Sequence, residues 1–146
     1  MIKNLGTQIE LQMKNNKIIR IALVDDDPDE EAFFQIALDF MEIDYEFKFF
    51  INAFNFISAI EKENAILPDI VFVDMKMPQI SGQEMVRQLR TNKAFDSIQA
   101  IIYTAHIGDK EKEIMGAMGI FDFFIKPTEF ADLTSMLKGI IKDRMQ

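Results

Sequence analysis

Five short apolar runs alternate with five segments of helical period along this chain, and that alternation limits it to an α/β architecture built on a parallel sheet. The runs lie near 18–24, 45–51, 70–73, 99–103 and 121–125, and the helical segments near 28–42, 53–63, 82–91, 109–118 and 129–143. Linkers are short, and there is no internal repeat. The runs at 70–73 and 99–103 are apolar on both faces, as central strands covered by helices require. Tyr45-Glu-Phe-Lys-Phe49 alternates instead, which places it at an edge, where Lys48 also discourages pairing with another chain.

Parallel strands are joined by right-handed crossovers, so consecutive strands can fill one sheet in only a few orders. The flavodoxin-like (βα)5 order 2-1-3-4-5 fits best, and it makes strands 1 and 3 neighbours at the point where chain direction switches. Local punctuation supports the helices. Asp27 is expected to cap the first one, with Pro28 at its first position and Glu30 reaching back in a capping box. Phe33, Phe34, Ala37, Leu38 and Met41 form its apolar stripe, and Phe130, Leu133, Leu137, Ile140 and Ile141 form that of the last helix, capped by Thr128. Gly116 and Gly119 are expected to weaken the fourth helix.

At 146 residues and 49% apolar composition the chain fits one domain with a real core. The expected division is an arm over 1–17, whose order the sequence leaves open, and a domain over 18–146. A net charge of −8 opposes direct nucleic-acid binding. With no cysteine there are no disulfides or thiolate metal sites. No apolar run is long enough to span a bilayer, and the first residues lack the order of a signal peptide, so the expected location is cytoplasmic with no membrane contact.

Four strands end in polar groups. Val24 runs into Asp25-Asp26-Asp27, Val73 into Asp74, Tyr103 into Thr104, and Ile125 into Lys126-Pro127. Acids gather at helix starts because the macrodipole favours them, which accounts for Asp29, Glu30 and Glu31, and capping accounts for Asp27. Neither explains Asp25 and Asp26. With Asp74 beside them, carboxylates repel by roughly 4 kcal/mol per pair at 4 Å and an effective dielectric near 20, so a cation must compensate. Mg²⁺ fits better than Ca²⁺, which wants more oxygen ligands than are on offer. Zinc is not supported by one histidine and no cysteine. A carboxylate nucleophile (Asp74), a metal held by acids, a hydroxyl (Thr104) and an ammonium (Lys126) together suit phosphoryl transfer, where catalysis is mostly positioning and charge neutralisation.

On these residues the chain resembles a response-regulator receiver domain of the CheY-like family. The matching motifs are Val24-Asp25-Asp26, Phe72-Val73-Asp74-Met75-Lys76-Met77-Pro78 with Gly82, Thr104-Ala105 and Lys126-Pro127, and the likeness covers about 18 to 143. The resemblance implies a two-component phosphorelay in which a histidine kinase or histidine phosphotransfer protein phosphorylates Asp74. It implies that Asp26 binds Mg²⁺ directly, Asp25 mainly through water, with Asp74 and the main-chain carbonyl of Lys76 as further ligands and Mn²⁺ as a substitute. Thr104 and Lys126 would hold phosphoryl oxygens, the Lys126–Pro127 bond would be cis, and Thr104 and Phe123 would form the switch. Lys76 and His106 would flank the path of the hydrolysing water and set lifetime.

The implied chemistry is limited to the protein's own phosphotransfer and autodephosphorylation. A stand-alone receiver is expected, signalling through protein contacts on the face of the fourth helix, fifth strand and fifth helix. Asp122 lies on that face with no arginine partner evident on the fifth helix, so a monomer or weak dimer is expected. A phosphatase of the haloacid dehalogenase type needs a second Asp two after the nucleophile, where Lys76 stands. A flavin carrier needs a phosphate-binding loop where this chain has three acids. A pseudo-receiver, an interaction module that is not phosphorylated, is the remaining alternative, but its usual sign, loss of a key residue, is absent.

Overall fold

The computed structural model describes residues 18–120 and 122–144, so the arm 1–17 and Phe121 lie outside the described residues. Strands β1 (Ile19–Val24), β2 (Tyr45–Phe50), β3 (Ile70–Val73), β4 (Gln99–Thr104) and β5 (Phe123–Ile125) form one sheet in the order 2-1-3-4-5, with every neighbouring pair parallel. Helices α1 (Asp29–Asp39), α2 (Ala53–Ile60), α3 (Gly82–Arg90), α4 (Asp109–Ala117) and α5 (Phe130–Arg144) follow the strands in turn. The doubly wound fold expected from the alternation is therefore the fold the chain adopts.

Strand periodicity splits the core into two layers, because successive side chains point to opposite faces. Ile19, Ile21 and Leu23 pack with Phe34, Phe72, Tyr103 and Leu137 beneath α1 and α5. Ala22 and Val24 pack with Phe56, Val73, Met85, Ile102 and Met115 beneath α2, α3 and α4. All four β3 residues are buried, whereas β2 alternates between half-buried and exposed, as a central and an edge strand should. Phe34 lies at the centre of an aromatic cluster, with ring centroids 5.0 Å from Phe72, 5.6 Å from Phe47 and 5.7 Å from Tyr103. Among the described residues no helix is long and apolar enough to cross a membrane.

Several helix ends differ from expectation for local physical reasons. The Asp27 side chain does accept a hydrogen bond, from the Asp29 N–H at 3.0 Å, but Glu30 does not complete a capping box. Its carboxylate turns toward Lys126 instead, 3.6 Å away, because a cation is a stronger partner than a neutral N–H. Glu129, not Thr128, stands at the start of α5, where its carbonyl accepts from the Leu133 N–H at 3.2 Å. Gly119 stops α4 rather than weakening it. At φ +76° it takes the left-handed conformation that lets the Ile120 N–H reach the Met115 carbonyl at 2.8 Å, a Schellman ending. No cis peptide bond occurs among the described residues, so Lys126–Pro127 is trans, the isomer that X-Pro bonds favour by about 0.5–1 kcal/mol.

Candidate functional site

Strand register brings the polar residues together. Val24 pairs with Val73 and Val73 with Ile102, so β1 and β3 end level and β4 runs two residues further to Thr104. The residues that follow are then neighbours without further design: the Asp74 N–H donates to the Val24 carbonyl at 2.9 Å, and the Lys126 N–H donates to the Thr104 carbonyl at 2.8 Å. One pole of the sheet thus carries Asp25, Asp26, Asp74, Thr104 and Lys126.

The loop after β3 holds Asp74 by main-chain contacts. The Gly82 N–H donates to the Met75 carbonyl at 3.0 Å, drawing the start of α3 against the strand end. Any Cβ at Gly82 would run into the Asp74 carbonyl group and come within 2.9 Å of the Met75 Cα, backbone atoms that have no slack. Gly82→Ala is therefore expected to lower stability by about 1–3 kcal/mol, the usual cost of overpacking, and to displace Asp74. Thermal unfolding measures this, and an unchanged midpoint would contradict the close approach.

Asp74 is nearly buried, at 8% exposure, and both of its oxygens are engaged. Oδ1 accepts from the Thr104 hydroxyl at 3.0 Å and from the Lys76 N–H at 3.1 Å, and Oδ2 lies 3.3 Å from the Lys126 ammonium. Asp25 is fully buried. It accepts from Lys126 at 2.6 Å and from the Asp27 N–H at 3.0 Å. Asp26 is exposed at the rim. Ligand oxygens of Asp25, Asp26 and Asp74 lie within 4.8 Å of one another. That spread is close to the roughly 4 Å separating opposite ligands of an ion with ~2.1 Å bonds.

Charge at this pole is unbalanced. Four carboxylates, those of Asp25, Asp26, Asp74 and Glu30, face one ammonium, an excess of three negative charges. Burial, the largest influence, pushes the Asp25 carboxyl above its ordinary pKa in spite of the hydrogen bonds from Lys126 and Asp27. Glu30 is raised too, chiefly by burial, with Lys126 opposing the rise. Burial works against the charged form of Lys126, but the Asp25 hydrogen bond and the carboxylates of Asp25, Asp74 and Glu30 outweigh it, so Lys126 is raised and stays cationic. An all-oxygen donor set with surplus negative charge suits a hard divalent cation.

The remaining expected residues lie at or behind this pole. Lys76 and His106 are exposed, and no side-chain hydrogen bond ties either to Asp74. Phe123 is half-buried against the α2–α4 core layer. Two residues at this pole were not legible from sequence: Glu30, a helix-start acid there, and Tyr103, whose ring centroid lies 5.6 Å from the Lys126 ammonium. Only its place one residue before Thr104 marked Tyr103. Asp122 does have a partner on α5: the Arg144 guanidinium forms an ion pair with it at 2.9 Å. That arginine is the last residue of the helix. A cavity of about 360 Å³ lies along edge strand β2 beside α2, lined by residues including Arg20, Glu46, Phe50 and Ile60.

Comparison with known proteins agrees with this geometry. Over 127 residues the chain is 31% identical to hybrid signal transduction histidine kinase D of Dictyostelium discoideum, a match covering 87% of this chain and 8% of that protein. It is 25% identical to the transcriptional regulatory protein TrcR of Mycobacterium tuberculosis over 94% of this chain and 51% of the relative. The chain therefore spans about half or less of these relatives. Among solved structures, the phosphorylated cyanobacterial phytochrome response regulator RcpA superposes with a TM-score of 0.78 at 18% identity, covering 89% of this chain and 96% of that one. The Mn²⁺-bound form of response regulator Rcp1 gives 0.73 at 19% identity, covering 85% and 92%. The family model for the response regulator receiver domain matches residues 21–138, and with that match over most of its length the chain belongs to the response regulator receiver domain family.

Proposed function

We propose that this chain receives a phosphoryl group on Asp74 from a histidine kinase or histidine phosphotransfer protein and passes the signal on through protein contacts. The observation that carries the reading is the placement of one carboxylate between a hydroxyl and an ammonium, Thr104 and Lys126 at 3.0 and 3.3 Å. In the proposed transfer an Asp74 oxygen forms a bond to phosphorus as the donor's bond to phosphorus breaks. Thr104 and Lys126 then hold phosphoryl oxygens. Mg²⁺ or Mn²⁺, held by Asp25, Asp26, Asp74 and the main-chain carbonyl of Lys76, would neutralise charge on the moving group. The solved relative Rcp1 is known in a Mn²⁺-bound form, and the all-oxygen donor set here suits a hard divalent ion.

The switch in this reading is Thr104 moving with the phosphoryl group and Phe123 turning inward behind it. The output face is α4, β5 and α5, where Ile114 and Ile125 are exposed at 46% and 48%. The pairing of Asp122 with Arg144 inside one chain supports a monomer or weak dimer. The same reading sets the protein in the cytoplasm, which a chain without cysteine suits.

Acetyl phosphate with Mg²⁺ is expected to add one phosphoryl group to the intact chain, seen by mass, and EDTA to prevent it. Full labelling in EDTA would sink the metal-dependent reading. Decay of that label tests Lys76 and His106: Lys76→Asn with His106→Glu should change its half-life several-fold, since a tenfold change needs only about 1.4 kcal/mol. A half-life equal to wild type would remove both from the lifetime role.

A further inference from the structure

Lys126 has more partners than phosphoryl binding requires. Its ammonium lies 2.6 Å from Asp25, 3.3 Å from Asp74 and 3.6 Å from Glu30, and 5.6 Å from the centroid of the Tyr103 ring. Glu30 stands on α1 and Tyr103 at the end of β4, and neither belongs to the acid cluster that can hold a metal. Glu30 gives up its expected capping bond to make this contact, and its side chain is only 22% exposed, unlike those of its neighbours Asp29 and Glu31, which are exposed. Tyr103 is buried, so its ring is a fixed wall and not a mobile contact.

We propose that Glu30 and the Tyr103 ring are positioning residues that form a resting seat for the Lys126 ammonium, and that this seat competes with the group on Asp74. The proposal rests on the reading of Asp74 as the phosphoacceptor. A cation shared among three carboxylates is drawn away from Asp74 by the other two. Asp25 also faces the metal site, so its charge serves two purposes. The ion pair that Glu30 makes is with the ammonium, and removing its charge frees Lys126 to turn toward Asp74 without replacing the nucleophile or any expected metal ligand. The aromatic face adds a further, weaker attraction on the same side.

Two measurements test the seat. In metal-free protein labelled with ¹⁵N-lysine, Glu30→Gln should shift the Lys126 ammonium resonance, while Asp29→Asn and Glu31→Gln leave it in place. With Mg²⁺ and beryllofluoride, a phosphoryl mimic, Glu30→Gln should tighten apparent beryllofluoride affinity by about three- to tenfold, the scale of one partly buried ion pair. Glu30→Asp, which keeps the charge but sets it one methylene further from the ammonium, should fall between wild type and Glu30→Gln. Tyr103→Phe, which keeps the ring, should behave like wild type. An unmoved Lys126 resonance in Glu30→Gln, or an equal effect from Asp29→Asn, overturns the seat and leaves only a general field of acids. If beryllofluoride binds none of these proteins, wild type included, the phosphoacceptor reading fails, and the Lys126 resonance alone decides the seat.

Discussion

Asp74→Asn is expected to gain no phosphoryl group from acetyl phosphate and Mg²⁺ under conditions in which wild type gains one. An amide oxygen is not a nucleophile at neutral pH, and Asp74 is the carboxylate placed against both Thr104 and Lys126. The fold should survive. The Asn oxygen can still accept from the Thr104 hydroxyl and the Lys76 N–H, and the ion pair lost to Lys126 is offset by one fewer negative charge in a crowded cluster. The thermal midpoint should stay within about 4 °C of wild type, corresponding to roughly 1 kcal/mol or less. Intact mass after reaction is the measurement. A label persisting in the Asn variant would move the acceptor to another side chain.

Lys126→Ala should produce two separable losses. Fully buried Asp25 would keep only the Asp27 N–H as partner, and removing one member of a buried pair typically costs 3–5 kcal/mol. The Lys126 side chain is 13% exposed, so water can enter the vacated space, and about 3 kcal/mol is the better expectation. Mg²⁺ should narrow the gap only by as much as the variant binds it more tightly than wild type. The second loss is in phosphoryl recognition. A missing charge-assisted bond of about 1.5–3 kcal/mol weakens the beryllofluoride response by roughly ten- to a hundredfold. Metal affinity should not fall, because the ammonium competes with a cation for the same oxygens. A variant that lost Mg²⁺ affinity while keeping its beryllofluoride response would reverse the assignment of Lys126.

The site residues at strand ends were readable because each follows a local apolar run. Ile70 to Val73 is buried on both faces, so Asp74 comes at the end of a central strand wherever the rest of the chain goes. Asp25 likewise follows the buried Val24 of β1, while Lys126 follows Ile125 at the end of an edge strand, marked by its apolar run and by Pro127. Glu30 was not readable in this way. At a helix start, a glutamate three after an aspartate has a sufficient local role in capping, and nothing nearby in sequence shows the cation that outbids it. That cation belongs to the last strand, ninety-six residues further along. Asp122 and Arg144 illustrate the same limit at shorter range, since their pairing depends on how the last turn of α5 falls against the approach to β5. Gly119 failed for a different reason: composition marks a glycine as a weak helix former, while its φ of +76° marks it as a helix stop.

From the sequence alone came the alternation of strands and helices, the buried and edge strands, the sheet order, and the polar residues at the strand ends. These rest on periodicities of two and 3.6 residues and on the single handedness of parallel crossovers, all properties of short segments. The tertiary structure decided which carboxylates share Lys126, which loop atoms hold Asp74, and why Gly82 can have no side chain. Ion pairs and close approaches change over a few ångströms, and those distances are set only when strands far apart in sequence come into register.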